Sequence, residues 1–459
     1  MIKDPTIVIM GTTGDLAKLK LIPALSALIR TGQIADPVII GTASSERNAA
    51  DILADAKKNA PDADETVWKR LTGAFSYRKV DFAVAADFAG LKTEIETREK
   101  GSVDAVRLFY LATLPEHFEA ASRNLTASGL VEKGNPRHRI VYEKPFGADL
   151  ASAKRINDVL AKILDEKNIY RADHYLGKEL VANIALIRFT NRILEPLWSR
   201  RDIDSVQIIL NENFGIKNRG AYYDRYGAVK DMLQSHALQV LSLLAMESPD
   251  RLTGEHIRME KAKVLQKTKV TDLFLGQYDG YLNEANVKPG SKTETFFAAR
   301  LVVNNSRWNG VPFFLRAGKN LAEKKTVFHI RFKPVECLLA KTCPSDNNYL
   351  TIRIEPDGGF GFEINSKSES GDFEIETIGL DYSHAEHGAK GKDAYAVLIY
   401  QALLGEQSFF ICRDEIEYSW KIVDAFRKDG LPVFSYAAGS DGPKELAAWN
   451  EKNNLFWKS

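Results

Sequence analysis

Residues Thr6 to Met10 read as a buried strand, apolar without a break from Ile7, that stops at Gly11 and passes at once into a helical pattern. From Asp15 to Thr31, Leu16, Leu19, Ile22, Leu25 and Leu28 recur at helical spacing. A buried strand, a glycine turn and a helix in this order form the opening of a βαβ unit. Glycine allows a tight turn and close backbone approach, and the helix start beyond it presents N–H groups to a pyrophosphate. Gly11, Thr12, Thr13, Gly14, Asp15 and Leu16 are therefore the candidate dinucleotide-binding turn. Its spacing is G-x-x-G-x-x-A rather than the commoner G-x-G-x-x-G, and by itself it also suits a turn without a ligand.

The same alternation continues. Residues 37–40, 106–111 and 139–143 read as strands, with helices between them and after Ala148, where Asp149 is a plausible N-cap. This pattern predicts a Rossmann-like α/β domain with a doubly wound parallel sheet over residues 1–175. Beyond that point the strand patterns lengthen, at 205–210, 296–303, 326–332 and 350–354, and helices alternate less regularly. Residues 176–459 are thus expected to form an α+β domain with a large, mostly antiparallel sheet, interrupted by one strong helix over 228–246. Residues 356–361 and 367–372 read as loops. A chain of 459 residues exceeds what one core serves, in keeping with two domains. No repeat or long Pro/Ser linker separates them.

Charge and cysteine content narrow the function classes. The 62 basic and 61 acidic residues leave a net charge of +1, no bulk field for nucleic acid or anionic membrane. Cys337, Cys343 and Cys412, without CxxC spacing, favour neither a disulfide framework nor a zinc site. The N-terminus enters a strand directly, with no signal-peptide core, and no apolar stretch is long enough to span a bilayer. A cytoplasmic protein is expected. At the end of the second strand, near an adenosine ribose, an acidic side chain favours a free 2′-hydroxyl and an arginine a 2′-phosphate. Both Glu46 and Arg47 stand there, so NAD and NADP both remain open.

Three segments make the reading specific: GTTGDLAKLK from Gly11, EKPFG from Glu143, and RADHYLGKE from Arg171. With these, and with NRI from Asn191, RGAYYD from Arg219, QSH from Gln234, GVPFF from Gly310 and RAGK from Arg316, the chain resembles the glucose-6-phosphate dehydrogenase family over almost its whole length. The resemblance implies hydride transfer from C1 of glucose 6-phosphate to NAD+ or NADP+, giving 6-phosphogluconolactone at the entry of the pentose phosphate or Entner-Doudoroff route. It implies His236 as the base for the C1 hydroxyl proton, a role suited to imidazole, and Asp173 as its orienting carboxylate. His174, Tyr175 and Lys178 match the phosphate grip, where a point charge and directional donors meet a dianion. Lys144 matches a residue reaching substrate and coenzyme, followed by Pro145, with Lys20 also on the nucleotide side. Glu212 and Asp224 resemble sugar-hydroxyl acceptors, and Lys319 and Lys324 the basic far side. No metal is required, and the family's dimers through the sheet domain imply a homodimer or homotetramer.

Three positions depart from the family pattern. Ser44 stands where NADP-using members carry an arginine, although Thr13, Ser45 and Arg47 offer partial compensation. Glu355 replaces a glutamine near the substrate, with Lys319 or Lys324 as possible partners, and Lys217 and Asn218 replace a more acidic loop. The first two keep open a dehydrogenase for another C6-anionic hexose such as a 6-sulfoglucose. A sugar dehydrogenase of the wider family lacking a C6 grip, and a non-catalytic nucleotide sensor, fit less well, because Asp173, Lys178 and His236 are all present.

Overall fold

A parallel sheet organises the N-terminal part of the chain. Its strands are β1 (Thr6–Met10), β2 (Val38–Ala43), β3 (Phe75–Lys79), β4 (Arg107–Leu111), β5 (His138–Tyr142) and β6 (Ile169–Ala172). They lie in the order β3-β2-β1-β4-β5-β6, and the short strand Phe410–Ile411 adds antiparallel to β6. The order reverses between β1 and β4, the position at which doubly wound sheets open a crevice for ligands beyond the carboxyl ends of their strands. All five residues of β1 and all five of β5 are buried, as the apolar run in β1 requires. Strands β3 and β6 were not foreseen: β3 is a half-buried edge with polar side chains, and β6 is only four residues long.

The computed structural model describes residues 1–60, 64–99, 105–335, 347–369, 374–387, 393–426 and 430–458. The chain divides into two units, the first being Met1–Glu179 with Pro249–Arg258 and Lys392–Glu417, and the second the remainder. The sequence reading drew one crossing, after residue 175. The two later segments belong with the first unit through contacts that local pattern does not reveal. Leu398, Ile399, Ala402 and Leu403 of the helix Ala394–Leu404 share one core with Leu25 and Leu28 of α1 (Ile22–Arg30). Arg139 donates from Nη1 to the Ala402 carbonyl at 2.6 Å. The helix before α1 is present as expected, but Ala17–Leu21 is π-wound. Asp149 caps Leu150–Ile163, its Oδ1 accepting from the Ser152 N–H at 2.7 Å.

Among the described residues, the second unit is built on a sheet of nine strands. They include β7 (Ile203–Asn211), β8 (Thr268–Tyr278), β9 (Phe296–Val303), β10 (Pro312–Gly318), β11 (Lys325–Phe332), β12 (Tyr349–Glu355), β13 (Gly359–Lys367) and β14 (Ile375–Ser383). With Val433–Tyr436 they run β14-β13-β12-β11-β7-β10-β9-β8-(433–436). Among the described strands of this sheet, the pairings of β7 with β10 and of β8 with Val433–Tyr436 are parallel and the others antiparallel. The sheet is thus mostly antiparallel, as expected. The loop expected over 356–361 is shorter, because β13 already starts at Gly359. Lys367 ends β13, and residues 370–372 lie outside the described residues. The helix expected over 228–246 is three pieces: Gly220–Ala228, a π stretch Val229–Ala237, and Leu238–Ala245. Gly227, at φ +65, breaks the first from the second. Cys337 and Cys343 lie outside the described residues; Cys412 is half-buried, and burial raises its thiol pKa.

Candidate active site

The glycine turn of the first unit is as tight as its sequence demands. Gly11 has φ +96, and a Cβ there would lie 2.6 Å from the Ala112 carbonyl oxygen, so backbone alone fits. Gly11 and Thr12 donate their N–H groups to the Thr42 carbonyl at 2.7 and 3.0 Å. The Thr12 side chain is fully buried. Its hydroxyl donates to the Ile9 carbonyl at 2.6 Å and accepts from the Thr42 N–H at 2.9 Å, tying β1 to β2. Thr12, expected among the coenzyme-binding residues, thus shapes the turn from beneath through its side chain. Thr13 and Leu16 are half-buried, while Gly14 and Asp15 are exposed at the helix start, open to a pyrophosphate. This cradle suits a dinucleotide. Lys20 is exposed on the π stretch.

At the end of β2, Ser44, Ser45, Glu46 and Arg47 are all exposed. Tyr77 donates to the Ser45 carbonyl, and Lys79 pairs with Glu46 at 3.3 Å, which draws the acidic side chain toward β3. Next to the switch point, the carboxyl ends of β4, β5 and β6 hold a second group. Lys144 is half-buried, and the Lys144–Pro145 peptide is cis. Glu143, buried at its side, accepts from the Tyr110 hydroxyl and, at 3.2 Å, from the Lys144 N–H. Burial pushes the Glu143 carboxyl up to about 7, against the pull of these hydrogen bonds and the Lys144 charge.

Immediately after β6 the chain makes two tight turns. Asp173, buried, accepts the Tyr175 N–H at 2.9 Å, and the Lys178 N–H reaches the Tyr175 carbonyl at 3.1 Å. These turns bring the Lys178 ammonium over the Tyr175 ring, 3.7 Å from its centroid. His174 stacks on Tyr395 of the helix Ala394–Leu404, with ring centroids 6.0 Å apart and planes 8° from parallel. Gly177 lets that helix approach, since a Cβ there would sit 2.5 Å from the Ala394 carbonyl oxygen. The expected phosphate grip is thus one folded segment, with Tyr395 as a neighbour the sequence did not point to.

In the second unit, parallel β7 and β10 end side by side, with Asn211 opposite Gly318. The next residues are Glu212 and Lys319, and the Glu212 N–H donates to the Gly318 carbonyl at 2.9 Å. Buried Lys319 donates to Glu212 Oε2 and lies 3.4 Å from Asp231 Oδ2. On the next strand over, Lys324 precedes β11 and pairs with Glu355 at 2.9 Å, while Thr326 donates to the other Glu355 oxygen at 3.3 Å. Of the two partners open to Glu355, the structure selects Lys324. Lys319, Glu212, Lys324 and Glu355 thus alternate in charge along one end of four neighbouring strands.

Asp231 was not singled out from sequence. It is 4% exposed, lies in the π stretch Val229–Ala237 and precedes His236, itself 1% exposed, by five residues. Glu294 holds the start of this stretch, accepting the Val229 N–H at 3.1 Å. A carboxylate five residues before His236, in a segment that is largely buried, was the available signal. Asp224, expected to face the sugar, has partners on the loop and turn that follow β8. It accepts from Ser291 at 2.5 Å and Tyr281 at 3.1 Å, and fastens the 288–293 loop. Burial works to raise its pKa, but these hydrogen bonds outweigh it and hold the carboxyl below its ordinary value.

Comparison with known proteins is consistent along the whole chain. The family model described as glucose-6-phosphate dehydrogenase, NAD binding domain, matches residues 8–183, and that of the C-terminal domain matches 185–458. Proteins named glucose-6-phosphate 1-dehydrogenase from Bacillus subtilis and Saccharomyces cerevisiae are 38% and 37% identical. Each match covers 98% of this chain, and 97% and 94% of those proteins respectively. A solved glucose-6-phosphate dehydrogenase in complex with glucose 6-phosphate superposes with a TM-score of 0.92 at 34% identity, covering 100% of this chain and 99% of that one. The Mycobacterium avium glucose-6-phosphate 1-dehydrogenase gives 0.87 at 33%, with 99% of both chains covered. A levoglucosan dehydrogenase at 11% identity and TM-score 0.53 shares the fold alone. The chain belongs to the glucose-6-phosphate dehydrogenase family.

Proposed function

We propose that this protein oxidises D-glucose 6-phosphate at C1 to 6-phospho-D-glucono-1,5-lactone, with NAD+ or NADP+ as hydride acceptor. The observation that carries this reading is the whole-length match to glucose-6-phosphate 1-dehydrogenases. His174, Tyr175 and Lys178 grip the C6 phosphate. Glu212 and Asp231, held around Lys319, accept sugar hydroxyls, and Asp231 takes the place first expected for Asp224. Lys324 acts as a pair with Glu355.

Bound at the Gly11–Gly14 turn, the coenzyme supplies a nicotinamide ring that accepts a hydride. The protein's part is to remove the C1 hydroxyl proton and to orient the sugar. His236 takes that proton, and Asp173 fixes its tautomer and stabilises the imidazolium. Each of the two side chains is buried, which suits a group that works out of bulk water. Thr13, Gly14, Asp15 and Leu16 hold the pyrophosphate end, Lys20, Lys144 and Pro145 border the nicotinamide end, and Ser44 and Arg47 face the 2′ group. With Glu46 drawn to Lys79, Arg47 meets a 2′-phosphate without a clamp from Ser44, so both coenzymes serve.

No described helix is long and apolar enough to cross a membrane. A cytoplasmic homodimer or homotetramer completes the proposal. Initial rates with glucose 6-phosphate and with a 6-sulfoglucose, each against NAD+ and NADP+, test it. Faster turnover of the sulfo sugar, a substrate not favoured by the relatives' names, would overturn the assignment. His236→Asn is expected to lose roughly 10²–10⁴-fold in kcat with substrate binding kept.

A further inference from the structure

The pair formed by Tyr110 and Glu143 has no part in the reaction as described, yet it lies beside the site's lysine. Tyr110 is on β4 and Glu143 follows β5, two adjacent parallel strands in register at Tyr110 and Val141. Tyr110 is 1% exposed and Glu143 8%. A buried carboxyl is costly unless its oxygens are satisfied. Here each oxygen takes one donor: Oε1 the Tyr110 phenol, and Oε2 the Lys144 N–H at 3.2 Å. The second of these fixes the main chain of the residue whose ammonium reaches the substrate. A carboxyl used only to fill space would be better served by an apolar side chain of the same volume. Asp173 and Lys144 are the other charged groups in its field.

We propose that Glu143, locked by the Tyr110 phenol, is a positioning residue for Lys144. It holds the Lys144 main chain, and through it the ammonium, in place at the carboxyl end of the parallel sheet. The inference rests on the proposed function of Lys144, and its test keeps the two apart. In the full-length protein, Tyr110→Phe is expected to raise KM for glucose 6-phosphate about 3- to 10-fold, the scale of one ordinary hydrogen bond. The kcat value should stay within about twofold. Glu143→Gln, which retains one acceptor oxygen, should cost less than Glu143→Leu.

The deciding measurement is a cycle with Lys144→Ala. Because Tyr110 acts through Lys144, Tyr110→Phe should add no further penalty in the Lys144→Ala background. A merely structural phenol would instead lower the melting temperature and the active fraction, leave KM unchanged, and cost the same in both backgrounds. That result overturns the proposal. If Tyr110→Phe fails to fold, the same cycle with Glu143→Gln decides. If the wild type does not turn over glucose 6-phosphate, the functional reading falls. The cycle is then read in the equilibrium affinity for NADP+, where additivity again refutes the positioning role.

Discussion

Replacing Glu143 by Gln removes an ionisable group from the interior while keeping its shape. In the folded protein, burial pushes this carboxyl up to about 7, and Asp173 adds to the rise. In the unfolded chain it titrates at about 4.3. The folded state therefore holds the proton more tightly. This contribution to stability is complete below the unfolded pKa and is lost as pH rises through about 7. At about 1.4 kcal/mol per pH unit, a gap of two to three units amounts to about 3 kcal/mol. Glu143→Gln does not titrate, so its stability relative to wild type should climb by about 3 kcal/mol between pH 4.5 and pH 7.5. Urea unfolding followed by tryptophan fluorescence, on both proteins at half-unit steps, reads this difference directly. A difference that is flat with pH, or one of opposite slope, would refute the claim that the interior carboxyl is protonated more readily than in the unfolded chain.

Gly11→Ala forces a Cβ to within 2.6 Å of the Ala112 carbonyl oxygen at φ +96; a loss of about 1–3 kcal/mol is expected in thermal melts, with at least a roughly tenfold weaker coenzyme titration. Lys319→Met strands Glu212 and Asp231 without their cation and should cost about 3–5 kcal/mol. Adding Glu212→Gln to it should recover part of that loss. Asp231→Asn should raise KM for glucose 6-phosphate about tenfold or more, while Asp224→Asn should leave KM unchanged and cost about 1 kcal/mol of stability through its loop bonds. Equal effects on KM from both aspartates would remove the distinction drawn between them.

What could be read from the chain follows the range of the forces involved. Strand β1 was legible because four consecutive apolar residues, Ile7 to Met10, favour burial on both faces, and Gly11 because a turn between strand and helix needs its freedom. The Asp173 to Lys178 segment was legible through family resemblance, and its tight turns follow from local hydrogen bonds. Asp231 was hidden by winding. Residues five apart fall on different faces of an α-helix, and only a π turn brings them toward one face. The bracing role of the Thr12 side chain was not legible because its partner, Thr42, lies on the neighbouring strand. Asp224 sits in a motif shared with the family, but its partners, Tyr281 and Ser291, lie 57 and 67 residues on.

The discontinuous first unit sets a timetable for the newly made chain. When residue 179 has been synthesised, the helix Ala394–Leu404, which covers α1, is still untranslated, as is the strand Phe410–Ile411 that borders β6. At roughly 5–20 residues per second, the wait is on the order of ten to forty seconds. Throughout it, Leu25, Leu28 and the edge of β6 lack their final cover. The nascent nucleotide-binding half is thus a natural client for chaperones, and it becomes self-sufficient only when the last tenth or so of the protein is leaving the ribosome.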